Sequence, residues 1–355
     1  METVRFSDVA TRANTKEDRF NTDKIYYVGG EHIDSNEMKI QKRGIIAGST
    51  IGPMFYCGFK SGDILFVTRN PHLRKCGVVD FDGICSEKTF VIETKDQDIL
   101  LQEYLAIVMQ SDYFWNYCEE NKSGGVNYFL NWSTLAEYEF PLPSIDEQKV
   151  LAEKLWAAYE VKLSYLKMID ATQEMVKSQF IEMFGDTHIP GENSKQWKEV
   201  VNIINGRDYK SVQVEEGGYP VYGTGGEMAR ASDYLSPENS ILLGRKGTID
   251  KPLLIKEKYW NVDTAFAVVP DSKVLNYVYF YWHCKSIDFS TLNKGTTLPS
   301  TTKVDLLELW ISIPEISKQE KFASIVEQAD KSEFELRKSI AAINAVIKSL
   351  INSVF

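Results

Sequence analysis

Long apolar runs are missing from this sequence. The densest stretch, Tyr277 to Cys284, falls far short of the about 18 consecutive apolar residues that a membrane-crossing helix needs. The opening residues, Met-Glu-Thr-Val-Arg-Phe-Ser-Asp, carry no apolar leader core. Both absences predict a soluble, cytoplasmic protein with no membrane partner. Cysteine is scarce. The five residues Cys57, Cys76, Cys85, Cys118 and Cys284 are odd in number and never two residues apart, so neither a disulfide framework nor a zinc knuckle is supported. The four histidines, His32, His72, His188 and His283, show no i, i+4 pair of the kind a metal-binding helix uses. A phosphate loop is also missing, since Gly223-Thr-Gly-Gly226 runs into Glu227-Met-Ala-Arg230 where Lys followed by Ser or Thr is required. No cofactor or metal is therefore expected. Finally, positive charge is short: 40 Lys+Arg against 50 Asp+Glu leave a net charge of −10. A whole-molecule field that coats nucleic acid is excluded, and any such contact must come from local basic patches.

What is present is a repeat. Pro143-Ser-Ile-Asp-Glu-Gln148 aligns with Pro314-Glu-Ile-Ser-Lys-Gln319, and the offset of 171 holds without a gap from Pro143 to Phe184. Both copies have helical periodicity. In the second, Phe322, Val326, Ala329, Glu333, Leu336, Ile340, Ile343, Ile347, Leu350 and Val354 step alternately by four and three, which keeps one seam facing a partner helix. The first copy repeats these steps at Leu151, Leu155, Ala158, Lys162, Tyr165, Ile169, Thr172, Val176, Gln179 and Met183, with polar interruptions at Lys162, Thr172 and Gln179. Each helix is predicted to start after its proline, where Ser144, Asp146 and Glu147, or Glu315, suit a helix N-terminus. The first is predicted to stop at Gly185. At about 1.5 Å per residue such helices are rods too long to stand alone, so they are expected to pack on each other.

Residues 1–142 and 186–313 form two blocks, each preceding one helix, 143–185 or 314–355. The blocks correspond. Asp63-Ile-Leu-Phe-Val-Thr-Arg-Asn70 matches Ser240-Ile-Leu-Leu-Gly-Arg-Lys-Gly247, an apolar strand running into a basic turn. Ser86 to Ile92 matches Val262 to Val268 as a second strand. Leu100 to Glu119 and Val274 to Ser286 then read as aromatic-rich helix, and Leu135 to Pro143 matches Leu306 to Pro314. The expected fold is α+β: two similar mixed α/β domains, each followed by a long helix, with the two helices packed on each other as a coiled coil.

This pattern resembles the specificity subunit of type I restriction-modification systems across essentially the whole chain. The residues that carry the likeness are Phe140 to Gln148, Ile311 to Gln319, Ile241 to Thr248, and Gly295 to Ser300. The second helix opening departs from the family pattern, with Lys318 before Gln319 where Glu147 precedes Gln148. The resemblance implies that each block is a target-recognition domain reading one half of a split sequence in double-stranded DNA. It implies that the two long helices form an antiparallel coiled coil that spaces the domains and docks two modification subunits, with restriction subunits in the full complex. It also implies that this subunit performs no catalysis.

Reading DNA requires side chains that reach base edges, with Arg or Lys suited to guanine and Asn or Gln to adenine. The expected DNA-binding residues are therefore those of the basic turns and nearby loops: Arg69, Asn70, Arg74 and Lys75 in the first domain, and Arg230, Arg245, Lys246 and Lys294 in the second. Leu151, Leu155, Ile169, Val176, Leu336, Ile340, Ile343 and Ile347 are the expected coiled-coil and partner-docking positions. Two rival readings exist. Asp80 with Glu93-Thr-Lys95 resembles a PD-(D/E)xK metal-dependent nuclease, although the second domain has no equivalent. The rods alone would suit a coiled-coil scaffold that binds only protein.

Overall fold

Each periodic stretch is one unbroken helix, Ile145–Phe184 and Ile316–Asn352. The computed structural model describes residues 2–293 and 299–353. It divides into two units, residues 1–167 with 337–355, and residues 168–336, so each long helix is shared between them.

In the first unit an antiparallel sheet has the order Ala10–Arg12, Thr89–Thr94, Ile64–Val67, Cys76–Val78. A second sheet has the order Gly44–Ile45, Tyr26–Val28, Gly83–Ser86, Phe55–Phe59, with a parallel pairing between Tyr26–Val28 and Gly83–Ser86. Every residue of the Ile64–Val67 strand is buried because the strand has a core on each face. Side chains alternate along a strand. Ile64 and Phe66 accordingly join the core formed with the helices Gln102–Val108 and Asp112–Glu120, while Leu65 and Val67 join the core of the second sheet.

The second unit repeats this plan. Its first sheet runs Val201–Asn205, Ala265–Pro270, Ser240–Gly244, Leu253–Ile255, matching the first unit strand for strand. Ile241 and Leu243 face the helix Tyr277–Ser286, and Leu242 faces the other core. The second sheet keeps the parallel pairing, here between Tyr219–Gly223 and Trp260–Asn261, but differs at its edges.

The seam positions turn inward. In the second unit the helices run antiparallel: Phe180 and Phe322 ring centroids lie 5.3 Å apart, and Gln173 donates to Glu333 at 3.0 Å. In the first unit Leu155 and Leu163 share a core with Ile347 and Ile351. The polar interruption at Lys162 has a specific cause, since its amine donates to the Glu37 carboxylate at 2.7 and 2.9 Å. Thr172 instead bonds back to the Met168 carbonyl at 2.8 Å.

Gln148 and Gln319, the glutamines of the repeated opening, are fully buried. Gln148 accepts from the Leu101 N–H at 3.0 Å and donates to the carbonyls of Ile99 and Pro143 at 2.9 and 3.0 Å. Gln319 accepts from the Asn276 N–H at 2.8 Å and donates to Val274 and Pro314 at 3.0 and 2.8 Å. Leu101 and Asn276 each cap the N-terminus of a domain helix. One side chain thus ties the start of each long helix to its own domain. Ser144 and Glu147 add a reciprocal cap to the first, with the Ser144 N–H donating to Glu147 at 2.9 Å.

Candidate nucleic-acid interface

The buried strand of each unit ends in a basic turn, and both turns are held by the same three backbone bonds. In the first unit Thr68 N–H donates to Lys88 at 2.9 Å, Leu130 N–H to Thr68 at 2.9 Å, and Asn70 N–H to Tyr128 at 2.9 Å. In the second, Arg245 N–H donates to Thr264 at 2.8 Å, Thr301 N–H to Arg245 at 3.1 Å, and Gly247 N–H to Pro299 at 3.0 Å. Lys88 and Thr264 each precede the neighbouring strand, Thr89–Thr94 or Ala265–Pro270. Residues 128–130 and 299–301 each precede a short helix, Trp132–Ala136 or Lys303–Leu307.

The match equates Arg69 with Lys246. Both are exposed, and both pair through the backbone with the clamping loop, at Phe129 and Ser300 respectively. Local geometry explains the neighbouring residues. Asn70 has φ 52°, a left-handed conformation that asparagine tolerates better than most residues. Its counterpart Gly247 has φ 85°. A Cβ on Gly244 would stand 2.0 Å from the Thr248 carbonyl oxygen, so the approach to this turn requires glycine.

The other expected DNA-binding residues are differently engaged. Arg245 is exposed, and its guanidinium donates to the Asp263 carbonyl at 3.4 Å. Arg74 is left-handed at φ 49° and pairs with Asp112 at 2.7 Å. That carboxylate also receives Asn352 at 3.1 Å and Lys348 at 3.4 Å. The Arg74 hydrogen bond is the main reason the Asp112 carboxyl titrates below its ordinary range. The Lys75 amine donates to the Gly30 carbonyl. Arg230, on the strand Gly226–Ala231, pairs with Glu227 at 3.0 Å. Lys294 lies outside the described residues.

Sequence reasoning passed over Lys122 and Tyr128. The Lys122 amine sits 4.5 Å from the Tyr128 ring centroid, beside the clamping loop. The sequence Ser123-Gly-Gly125 suits a turn there, but nothing local connects it to Arg69.

The expected docking positions pack within the chain. Leu155, Ile169, Val176 and Ile347 are buried, and Leu151, Leu336, Ile340 and Ile343 are half-buried. A different apolar row on the first long helix faces solvent, with Val161, Met168 and Met175 at seven-residue intervals and 42, 52 and 45% exposed.

The nuclease-like residues have separate partners. Glu93 pairs with Lys60 at 3.4 Å, and the Lys95 amine donates to the Ser7 carbonyl at 2.6 Å. Asp80 is exposed. Among the described residues, no three His, Cys, Asp or Glu side chains gather as metal ligands would. No described helix is long and apolar enough to cross a membrane.

Comparison with known proteins identifies this two-unit arrangement. The family profile described as type I restriction modification DNA specificity domain matches residues 1–164 and again 192–345. The chain belongs to that family. It is a DNA specificity subunit, the non-catalytic member of its system, and nothing in the comparisons supports the nuclease reading. No curated protein matches it. Among solved structures, the S subunit of a type I restriction-modification system from M. genitalium has a TM-score of 0.65 at 14% identity, covering 100% of this chain and 96% of that one. A chain from work on complex assembly and conformational transition of the type I R-M system has a TM-score of 0.59 at 21% identity, covering 99 and 97%. These likenesses show that the specificity subunit shares their fold.

Proposed function

We propose that each unit of this specificity subunit reads one half of a split sequence in double-stranded DNA through its basic turn. Arg69 and Asn70 serve the first half-site, and Arg245 and Lys246 the second. Arg74, Lys75 and Arg230 stand in second rank because each is half-buried and held by a protein partner, whereas Arg245 is exposed and makes only a long contact with the Asp263 carbonyl. Lys294 joins the second cluster on sequence grounds alone. The observation that carries the reading is the equivalence of Arg69 and Lys246, two exposed cations at the end of the same strand, held by the same loop.

The chain is further proposed to work in the cytoplasm with two modification subunits, joined by restriction subunits in the full complex. The solvent-facing row Val161, Met168 and Met175 is the docking face left once the seam is packed. Strong binding is assigned to the whole assembly, because a chain of net charge −10 draws affinity only from cations at the phosphate surface.

Selection of duplexes from a randomised split-site library tests the reading, using the chain bound to its modification subunits. Arg69→Ala should relax preference in one half-site and Lys246→Ala in the other, each by about 1–3 kcal/mol of base discrimination. Equal loss at both halves from either variant would overturn it.

A further inference from the structure

The second sheet of the first unit brings two cysteines face to face. Cys57, on the strand Phe55–Phe59, is paired directly with Cys85, on Gly83–Ser86, in antiparallel register. Both side chains turn to the same core, which Cys85 joins fully buried and Cys57 half-buried at its margin. Cα atoms of directly opposed antiparallel residues lie about 4.5–5.5 Å apart, inside the about 4.4–6.8 Å that a disulfide spans. The two thiols are already in contact, with the Cys85 S–H donating to the Cys57 sulfur.

The two sulfurs are unlike. Cys57 is the accessible one, and the Arg12 guanidinium, which lies 4.5 Å over the Phe90 ring, also donates to it. These donors favour the thiolate and bring the Cys57 thiol down to about 7. Cys85 is pushed up, first by its hydrogen bond to Cys57 and then by burial. A reachable thiolate is the form that an oxidant attacks, and an adjacent thiol is what resolves the product. The remaining thiols, Cys76, Cys118 and Cys284, are buried, and burial pushes each of them up.

The second unit carries different chemistry at this place. Asn261 stands where Cys85 does, since each lies three residues before the carbonyl, Lys88 or Thr264, that holds a basic turn. It is fully buried and accepts from the Ser236 hydroxyl at 2.8 Å. Cys284 is the one cysteine of residues 168–336.

We propose that Cys57 and Cys85 form a modification site for peroxides, closing to an intramolecular disulfide in the first unit alone. The Cys57 thiolate attacks hydrogen peroxide, an S–O bond forms as the O–O bond breaks, and the departing hydroxide takes a proton to become water. The Cys85 sulfur then attacks the Cys57 sulfenic acid. The S–S bond forms as the S–O bond breaks, and the second hydroxide leaves with the Cys85 proton as water. Two thiols have given two electrons to one peroxide. The bond sits close to the basic turn, because the Lys88 carbonyl accepts from the Thr68 N–H at 2.9 Å and from its hydroxyl at 2.8 Å, immediately before Arg69. Resting on the reading of that turn, the disulfide alters recognition of the first half-site and spares the second.

Dilute hydrogen peroxide added to the folded full chain, followed by thiol blocking, non-reducing proteolysis and mass spectrometry, tests the chemistry. A Cys57–Cys85 cross-linked peptide should appear with a mass loss of about 2 Da per chain, reversed by dithiothreitol, while Cys76, Cys118 and Cys284 stay reduced. Cys85→Ser should halt at a Cys57 sulfenic acid that dimedone traps. Oxidation of wild-type Cys57 to the sulfinic acid without a cross-link, or cross-links only between chains, would overturn the proposal. Split-site selection with the chain bound to its modification subunits reads the consequence. Peroxide should shift base preference in the half-site that Arg69→Ala relaxes, and Cys57→Ser should abolish the shift. If Arg69→Ala relaxes one half and the disulfide shifts neither, the link to the turn is overturned. If Arg69→Ala has no effect, the reading of the turn fails, and the cross-linked peptide still decides the dithiol chemistry.

Discussion

Gln319→Leu removes one side chain that makes three hydrogen bonds, and it leaves the partners of those bonds in place. The Asn276 N–H loses its acceptor, and the carbonyls of Val274 and Pro314 lose a donor, at a site where the side chain is fully buried. A stranded buried donor alone costs about 1–3 kcal/mol, and the weakened carbonyls bring the expected loss to roughly 2–4 kcal/mol. That is a large share of the about 5–15 kcal/mol that holds a typical protein together. The loss should also be local. Asn276 caps the helix Tyr277–Ser286 through its own side chain, accepting from Val278 at 2.8 Å, so releasing its backbone loosens the start of that helix as well. Hydrogen exchange read by mass spectrometry or NMR checks both points. Gln319→Leu should speed exchange at Asn276 and leave Leu101 protected, while Gln148→Leu should do the reverse. Denaturant unfolding supplies the energy. A loss below about 0.5 kcal/mol, the scale of an ordinary surface change, would refute the assignment of the repeated glutamines as ties. Equal exchange at both caps would do the same.

Three further outcomes are expected. Lys162→Met leaves the Glu37 carboxylate without its amine and should cost about 1–3 kcal/mol, a range discounted for the one-third exposure of Glu37. In a double-mutant cycle Glu37→Gln should recover part of that loss, and strict additivity would contradict a direct pairing. Cys57 should be alkylated by iodoacetamide near neutral pH, because the hydrogen bond from Cys85, aided by Arg12, lowers its thiol to about 7. Mass spectrometry should find Cys76, Cys118 and Cys284 unmodified, since burial pushes those thiols up. His283 is fully buried, accepts from the Trp197 indole at 3.2 Å and therefore donates its other N–H to Thr187 at 2.7 Å. Burial, then His188, depresses its basicity in the folded state. The unfolded chain takes up the proton first as pH falls below about 6.5, so stability should be full above that pH and decline below it, by at most about 1.4 kcal/mol per pH unit. Thermal unfolding from pH 7.5 to 5.5 checks this, and an unchanged slope in His283→Asn would exclude His283 as the source.

The duplicated plan was legible because the physics behind it is local. The 171-residue register, the four-three apolar steps and the match between Asp63–Asn70 and Ser240–Gly247 are patterns along the chain, and the structure places both strands and both long helices at those segments. Lys162 was visible only as a defect in the seam, because its partner Glu37 lies 125 residues away. Arg74 and Lys75 read as free cations for the same reason, since Asp112 and the Gly30 carbonyl become neighbours only after folding.

The solvent-facing apolar row was equally hidden. A periodic apolar stripe tells which residues seek burial, but a helix packed against both a domain and a second helix buries two stripes and exposes a third. Ala152, Tyr159 and Leu163 belong to the second of these stripes, and Val161, Met168 and Met175 to the third. Amino-acid order alone therefore determined the repeat, the helices, the buried central strands and the position of the basic turns, each of which rests on contacts or periodicity within a short span. Tertiary packing decided which cations stay exposed and why the opening glutamines recur. Those outcomes depend on charges and loop lengths that meet across long stretches of chain, where sequence spacing carries no distance information.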